Sequence, residues 1–207
     1  CASQISEVRR SEISQAIDWA YAEGFKVVMV TFTTPHYEWQ SCKDLLVALT
    51  GALKQFRSGA GWQSAKKQFG LQGVIRSLET VYGKNGWHTH THEAWIVSRD
   101  ASAQQLRDQV LARWKLCCKK RGLIPWGKMD AFEKHSIDVK DNISTGDYLA
   151  KQDSESYLAW GGDRELTQGF KKSGKGTHPF QLAVSKVRGH WQLFEEYAEA
   201  FKGRAAV

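Results

Sequence analysis

Two apolar-rich stretches, Leu71 to Tyr82 and Trp87 to Ser98, are separated by Gly83-Lys84-Asn85-Gly86. A loop of glycine and asparagine between β-branched and aromatic runs is the strongest short-range hairpin signal, because tight hairpin turns need positive φ, which these residues adopt most cheaply. Any fold for this chain has to be built around that antiparallel pair. Side chains alternate between the faces of a strand, so His88, His90 and His92 share one face. A loop at Asn85-Gly86 pairs residues whose numbers sum to 171 and sets Glu79 against His92; a loop at Lys84-Asn85 gives 169 and sets Glu79 against His90. In either register a carboxylate joins the imidazoles.

The rest of the chain supplies the layers. Ser11 to Gly24 predicts a helix, with apolar Ile13, Ala16, Ile17 and Ala20 at helical spacing. Lys26 to Thr34 is a β-branched run bounded by Gly24 and Pro35, a buried strand. Tyr37 to Arg57 carries Leu45, Leu46, Leu49, Leu53 and Phe56 on a helical stripe, broken by Gly59-Ala60-Gly61, with a short helix through Phe69. Ala101 to Arg121 is amphipathic, Ala131 to Lys140 alternates in part as a strand, and helices are expected over Thr145 to Trp160 and from Gly189 to Lys202. The resulting β-α-β-β-α-β-α order implies an α+β fold: a central antiparallel sheet with helices packed on its faces. The expected organisation is an N-terminal helix over 1–25, a main domain over 26–182 and a C-terminal helix over 183–207 packing on it.

Composition narrows the partners. The 29 Lys+Arg against 22 Asp+Glu give a net charge of +7, which favours a polyanion, and nine tryptophans offer surfaces on which bases could stack. The longest apolar run is too short to span a membrane, and no signal peptide is recognisable at the front. Cys1, Cys42, Cys117 and Cys118 are too irregularly spaced for a zinc ribbon or a disulfide framework, so a reducing cytoplasmic setting is expected. The chain starts at Cys1 rather than Met, as expected for a piece of a longer protein.

Histidines on one strand face converge on a point, which suits a divalent cation, and Glu79 adds a hard oxygen while leaving coordination positions open. Such a set serves hydrolases, oxygenases and nucleases alike. A second motif, Gly146-Asp147-Tyr148-Leu149-Ala150-Lys151, opens the helix expected from Thr145 and brings Tyr148 and Lys151 to one face. A tyrosine beside a metal-held phosphate can act as a nucleophile, and a lysine one turn on can neutralise phosphate charge or ease deprotonation of the phenol. Tyr157 lies about half a turn out of phase with Tyr148 and is expected to face away. The stretch Gly169 to Gly176 approaches a P-loop, but Gly176 replaces the Mg²⁺-binding hydroxyl residue; a basic loop touching DNA phosphates through Lys171, Lys172 and Lys175, with Lys84 from the hairpin, is the alternative, beside plain solvated surface.

Taken in order, Val30-Thr31-Phe32-Thr33-Thr34-Pro35-His36, then Leu78 through His92, then Tyr148-Leu149-Ala150-Lys151 resemble the three motifs of HUH endonucleases, and within that superfamily the rolling-circle replication initiators (Rep) of bacterial plasmids. Glu165-Leu166-Thr167 and His178-Pro179-Phe180-Gln181-Leu182 extend the likeness, which spans residues from about 26 to 182. The resemblance implies an HUH/Rep-like nuclease fold with metal ligands Glu79, His90 and His92, nucleophile Tyr148 and motif lysine Lys151. His88 would be an additional ligand or a supporting group. Two positions depart from the pattern: Thr89 stands where proline is common, and Ser144 where some relatives carry a glutamate. The implied activity is a Mn²⁺- or Mg²⁺-dependent nickase and strand transferase acting on single-stranded or hairpin origin DNA through a 5′-phosphotyrosine. Host helicase and polymerase would be its partners. A transposase or relaxase of the same superfamily, a non-catalytic nucleic-acid-binding module and a small-molecule metal hydrolase are the alternative readings.

Overall fold

The hairpin forms as β2 (Gly73–Gly83) and β3 (Gly86–Ser98), with Gly83 paired to Gly86 around Lys84-Asn85 and Glu79 directly opposite His90. Of the two registers the turn chemistry allows, the chain adopts the one with its loop at Lys84-Asn85. Gly86 has φ +80, and a β-carbon there would stand 2.9 Å from the Glu38 Cα. Gly86→Ala is therefore expected to cost about 1–3 kcal/mol in urea unfolding, through strain and that clash combined.

The computed structural model describes residues 2–144 and 176–203. Around the hairpin it adds α1 (Ala2–Ala22), β1 (Phe25–Thr33), α2 (Cys42–Phe56), α3 (Gly59–Gln68), α4 (Ala103–Lys120), α5 (Met129–His135), β4 (Ile137–Lys140), α6 (Pro179–Val184) and α7 (His190–Phe201). The four strands form one antiparallel sheet in the order β2-β3-β1-β4. This is the α+β class expected, with an open sheet among the described residues.

Alternation along the strands decides what each face carries. Val28, Val30, Phe32, Trp95 and Val97 point to one face, where Leu49, Leu53 and Phe56 of α2, Trp62 of α3 and Leu106 and Trp114 of α4 close the main core. Trp87 anchors a second cluster with Leu45 and Leu46 of α2, Leu182 of α6 and Ala200 of α7. The opposite face is divided. Ile13, Ile17 and Ala20 of α1 cover Val27, Met29, Ala94 and Ile96. Farther along the same face stand Glu79, His90 and His92, outside that apolar cluster. Half of one sheet face is thus roofed and dry, and the other half carries polar groups.

Several boundaries differ from the sequence expectation. The strand expected over Ala131 to Lys140 is mostly helix: residues through His135 belong to α5, held by the buried Phe132, and only Ile137–Lys140 pairs with β1. Alternation of Ile137 with Val139 extends over those four residues alone, too short to carry a strand back to Ala131. Helix α1 begins at Ala2, and Ser11 lies inside it, accepting from Gln15 Nε2 at 3.0 Å rather than capping an N-terminus. The helix expected from Tyr37 starts at Cys42, because the Ser41 hydroxyl accepts the Asp44 N–H and caps it there. Gly59-Ala60-Gly61 opens α3 instead of separating it from α2. The helix expected over Thr145 to Trp160, with Tyr148, Lys151 and Tyr157, lies outside the described residues, as do Lys171, Lys172 and Lys175.

Candidate metal centre

Glu79 on β2 and His90 and His92 on β3 bring their donor atoms to one point. Glu79 Oε2 stands 2.8 Å from His90 Nε2 and 3.2 Å from His92 Nε2, and the two imidazole nitrogens are 3.1 Å apart. Donors about 2.1 Å from one ion and at right angles to each other are separated by about 3.0 Å, so this triangle has the size of one facial set on a small divalent cation. The tautomers add a second argument. His92 Nδ1 lies 3.0 Å from Thr31 Oγ1 on the neighbouring strand β1. When that Nδ1–H donates to the hydroxyl, neutral His92 presents only a lone pair at Nε2, which then faces the Glu79 carboxylate without a proton between them. A cation at the centre of the triangle removes that conflict, and Thr31 holds the ring in the ligating orientation. The donor set therefore fits a divalent metal.

Electrostatics agree with a site prepared for positive charge. Burial alone would raise the Glu79 carboxyl, but hydrogen bonds and charge from His90 and His92 hold it far below the usual carboxylate range. His90 and His92 are both nearly buried, so their rings are positioned by packing rather than by solvent.

His88 does not join the triangle: the converging donors among the described residues are those of Glu79, His90 and His92. Its ring stacks between His90 (4.7 Å) and His36 (4.5 Å), and burial pushes it down to about 3, helped by the neighbouring imidazoles. It backs the ligand ring. His36, from the segment after β1, has a lowered pKa through burial. A cleft of about 840 Å³ opens beside these rings and is lined by His36, Tyr82, Lys84, Asn85, His88 and Thr177. Lys84 is exposed at the hairpin tip and stands at its rim.

His178 is a residue that sequence reasoning left unassigned. It precedes Pro179 and caps α6: its Nδ1 accepts the Phe180 N–H at 3.3 Å, while Gln181 Oε1 accepts the His178 N–H at 2.9 Å. Burial pushes it down to about 4, opposed by the charge of Glu79. The spacing His-Pro-x-Gln, a cap followed by Pro at the first helical position and Gln at the third, is the signal that could have found it. Its lowered pKa makes a prediction. The unfolded chain binds the proton more readily, so the contribution of His178 is complete above about pH 6.5 and is lost as pH falls towards 4. His178→Asn keeps a capping group that does not titrate, so the fall in unfolding free energy between pH 6.5 and 4 becomes shallower in the variant.

Comparison with known proteins gives two relatives. The chain is 25% identical to "Protein rep" of Streptomyces lividans over 142 residues, covering 56% of this chain and 31% of that protein. It is 26% identical to "Neomycin resistance protein" of Streptomyces cyanogenus over 130 residues, covering 51% of this chain and 30% of that protein. The chain thus spans about a third of the length of the curated relatives it matches. No protein-family profile matches, and no solved structure shows a significant match. Among the described residues no helix is long and apolar enough to cross a membrane.

Proposed function

We propose that the chain is the nicking and joining domain of a plasmid replication initiator, cutting one DNA strand at a specific site through a covalent tyrosine intermediate. The observation that carries this reading is the Glu79–His90–His92 triangle on the sheet face, beyond the apolar cluster under α1. It is supported by the ordered motifs around it, by the net positive charge and by the similarity to the Streptomyces lividans rep protein. A divalent cation, Mn²⁺ or Mg²⁺, held by these three residues would polarise the scissile phosphate.

The chain's own groups would do the rest. Tyr148 Oη attacks the phosphorus and loses its phenolic proton to solvent; the P–O3′ bond breaks and the departing oxygen takes up a proton. A 5′-phosphotyrosine and a free 3′-OH result. Lys151 neutralises phosphate charge beside the tyrosine, and the 3′-OH primes synthesis by a host polymerase behind a helicase. The single strand is bound by basic side chains, with Lys84 at the cleft rim and Lys171, Lys172 and Lys175 following the backbone. Thr31 and His88 act on the ligand rings rather than on DNA.

The test is a gel assay with labelled single strands tiled across the origin of the protein's replicon, run with Mn²⁺ or EDTA. An SDS-stable adduct that requires Mn²⁺ and disappears in Tyr148→Phe is the expected result. An adduct persisting in Tyr148→Phe would move the nucleophile, with Tyr157 the next candidate. DNA retention without any adduct would favour a binding module.

A further inference from the structure

A second, smaller cleft lies on the other side of His36. It measures about 230 Å³ and is lined by Pro35 and Tyr37 after β1 and by Lys128, Phe132 and His135 around α5. This is below the roughly 300 Å³ at which pockets for drug-sized ligands begin, and it has room for one planar ring system. Its walls include three flat side chains, His36, Tyr37 and Phe132. Ser136, only 3% exposed, also borders the cleft, with its Oγ turned into the protein and without a hydrogen-bond partner among the described residues.

From this cleft we infer a nucleobase pocket: one base of the bound single strand leaves the stack and inserts between α5 and the segment after β1. The inference rests on the nuclease reading and names a position at which that reading would acquire sequence preference. Flat walls match the π-face of a base, and the Lys128 ammonium offers a donor to its edge. The location suits a strand already held at the metal centre. His36 lines both clefts and stacks on His88, which stacks on His90. Outside the pocket, Tyr37 carries Trp39 in a parallel stack at 4.6 Å and 9°, with Trp39 80% exposed, and Trp126 is 87% exposed in the loop before Lys128. Such large exposed indoles, close in sequence to the lining residues Tyr37 and Lys128, provide stacking surfaces for neighbouring bases.

The experiment uses the full chain in EDTA with a short homopolymer of 5-iodo-deoxyuridine. Binding is followed by fluorescence anisotropy, and ultraviolet cross-links are mapped by mass spectrometry. Cross-links to Tyr37 or Phe132 are expected in the wild type. Ala131→Phe, which plugs the cleft from an exposed helix position, is expected to remove them and to weaken binding about tenfold, the worth of one stacked base. An oligonucleotide that binds but cross-links only to Trp39, Trp126 or residues elsewhere overturns the pocket and leaves the nuclease reading standing. A wild type that retains no single strand overturns both.

Discussion

His92→Ala is expected to abolish the uptake of Mn²⁺. In a calorimetric titration the wild type is expected to bind one ion, and the variant to lose more than about 100-fold in affinity, because groups that only support a ligand already cost 10–100-fold. Thr31→Val supplies that smaller step, about tenfold, by freeing the His92 ring without removing its nitrogen. Thermal unfolding reads the same site independently. An ion at 100 times its dissociation constant adds about 2.7 kcal/mol to the wild type and nothing to His92→Ala. The three apolar clusters do not include the triangle, so the variant is expected to fold in EDTA. Undiminished Mn²⁺ affinity in His92→Ala would remove the metal centre from the account.

Glu93→Ala is expected to destabilise the fold by about 3–5 kcal/mol. Glu93 is fully buried on the face opposite the histidines, at the middle of β3. Its carboxylate pairs with Arg57 at the end of α2 and stands 3.0 Å from Arg76 Nε on β2, while Trp95 Nε1 donates to it at 2.8 Å. Removing the acid leaves the guanidinium groups of Arg57 and Arg76 without their shared counter-charge, Arg57 mostly buried and Arg76 partly so. Urea unfolding measures the loss. Replacing the whole cluster, with Arg57→Met, Arg76→Leu and Glu93→Leu together, is expected to restore much of it, since an apolar set needs no charge compensation. A loss below about 1 kcal/mol for Glu93→Ala would mean that water reaches the arginines.

The two charged groupings differ in how plainly the sequence announces them. The Glu79–His90 pairing follows from strand parity and one loop, because a hairpin is a local object and its register is set within a few residues of the turn. Only the choice between two adjacent loops had to come from the three-dimensional structure. Glu93 reads as an interruption in an apolar run, and nothing nearby identifies Arg57, whose contact is made across α2 packing. His36 and His178 have the same character: one stacks on His88 and the other follows Thr177, which pairs with Tyr82 of β2, from segments far apart in sequence. At α5, helical residues precede a strand of only four residues, and the alternation of that short strand masks the helix before it. Elements fixed by neighbouring residues were legible; those fixed by packing were not.

Ile143 has a consequence for reach. Its N–H donates to Val27 O at 3.0 Å, and its side chain is buried with α1 on the face that carries the triangle. Tyr148 follows five residues later. Five residues extend at most about 17 Å, whereas Val27 and Thr31 are four positions apart on β1, about 13 Å. The pinned backbone therefore acts as a short leash. In the proposed reaction it keeps Tyr148 within reach of the histidines and raises its local concentration there, independently of how tightly DNA is held. Lengthening the leash with glycine and serine after Ser144 should slow adduct formation while leaving Mn²⁺ affinity unchanged.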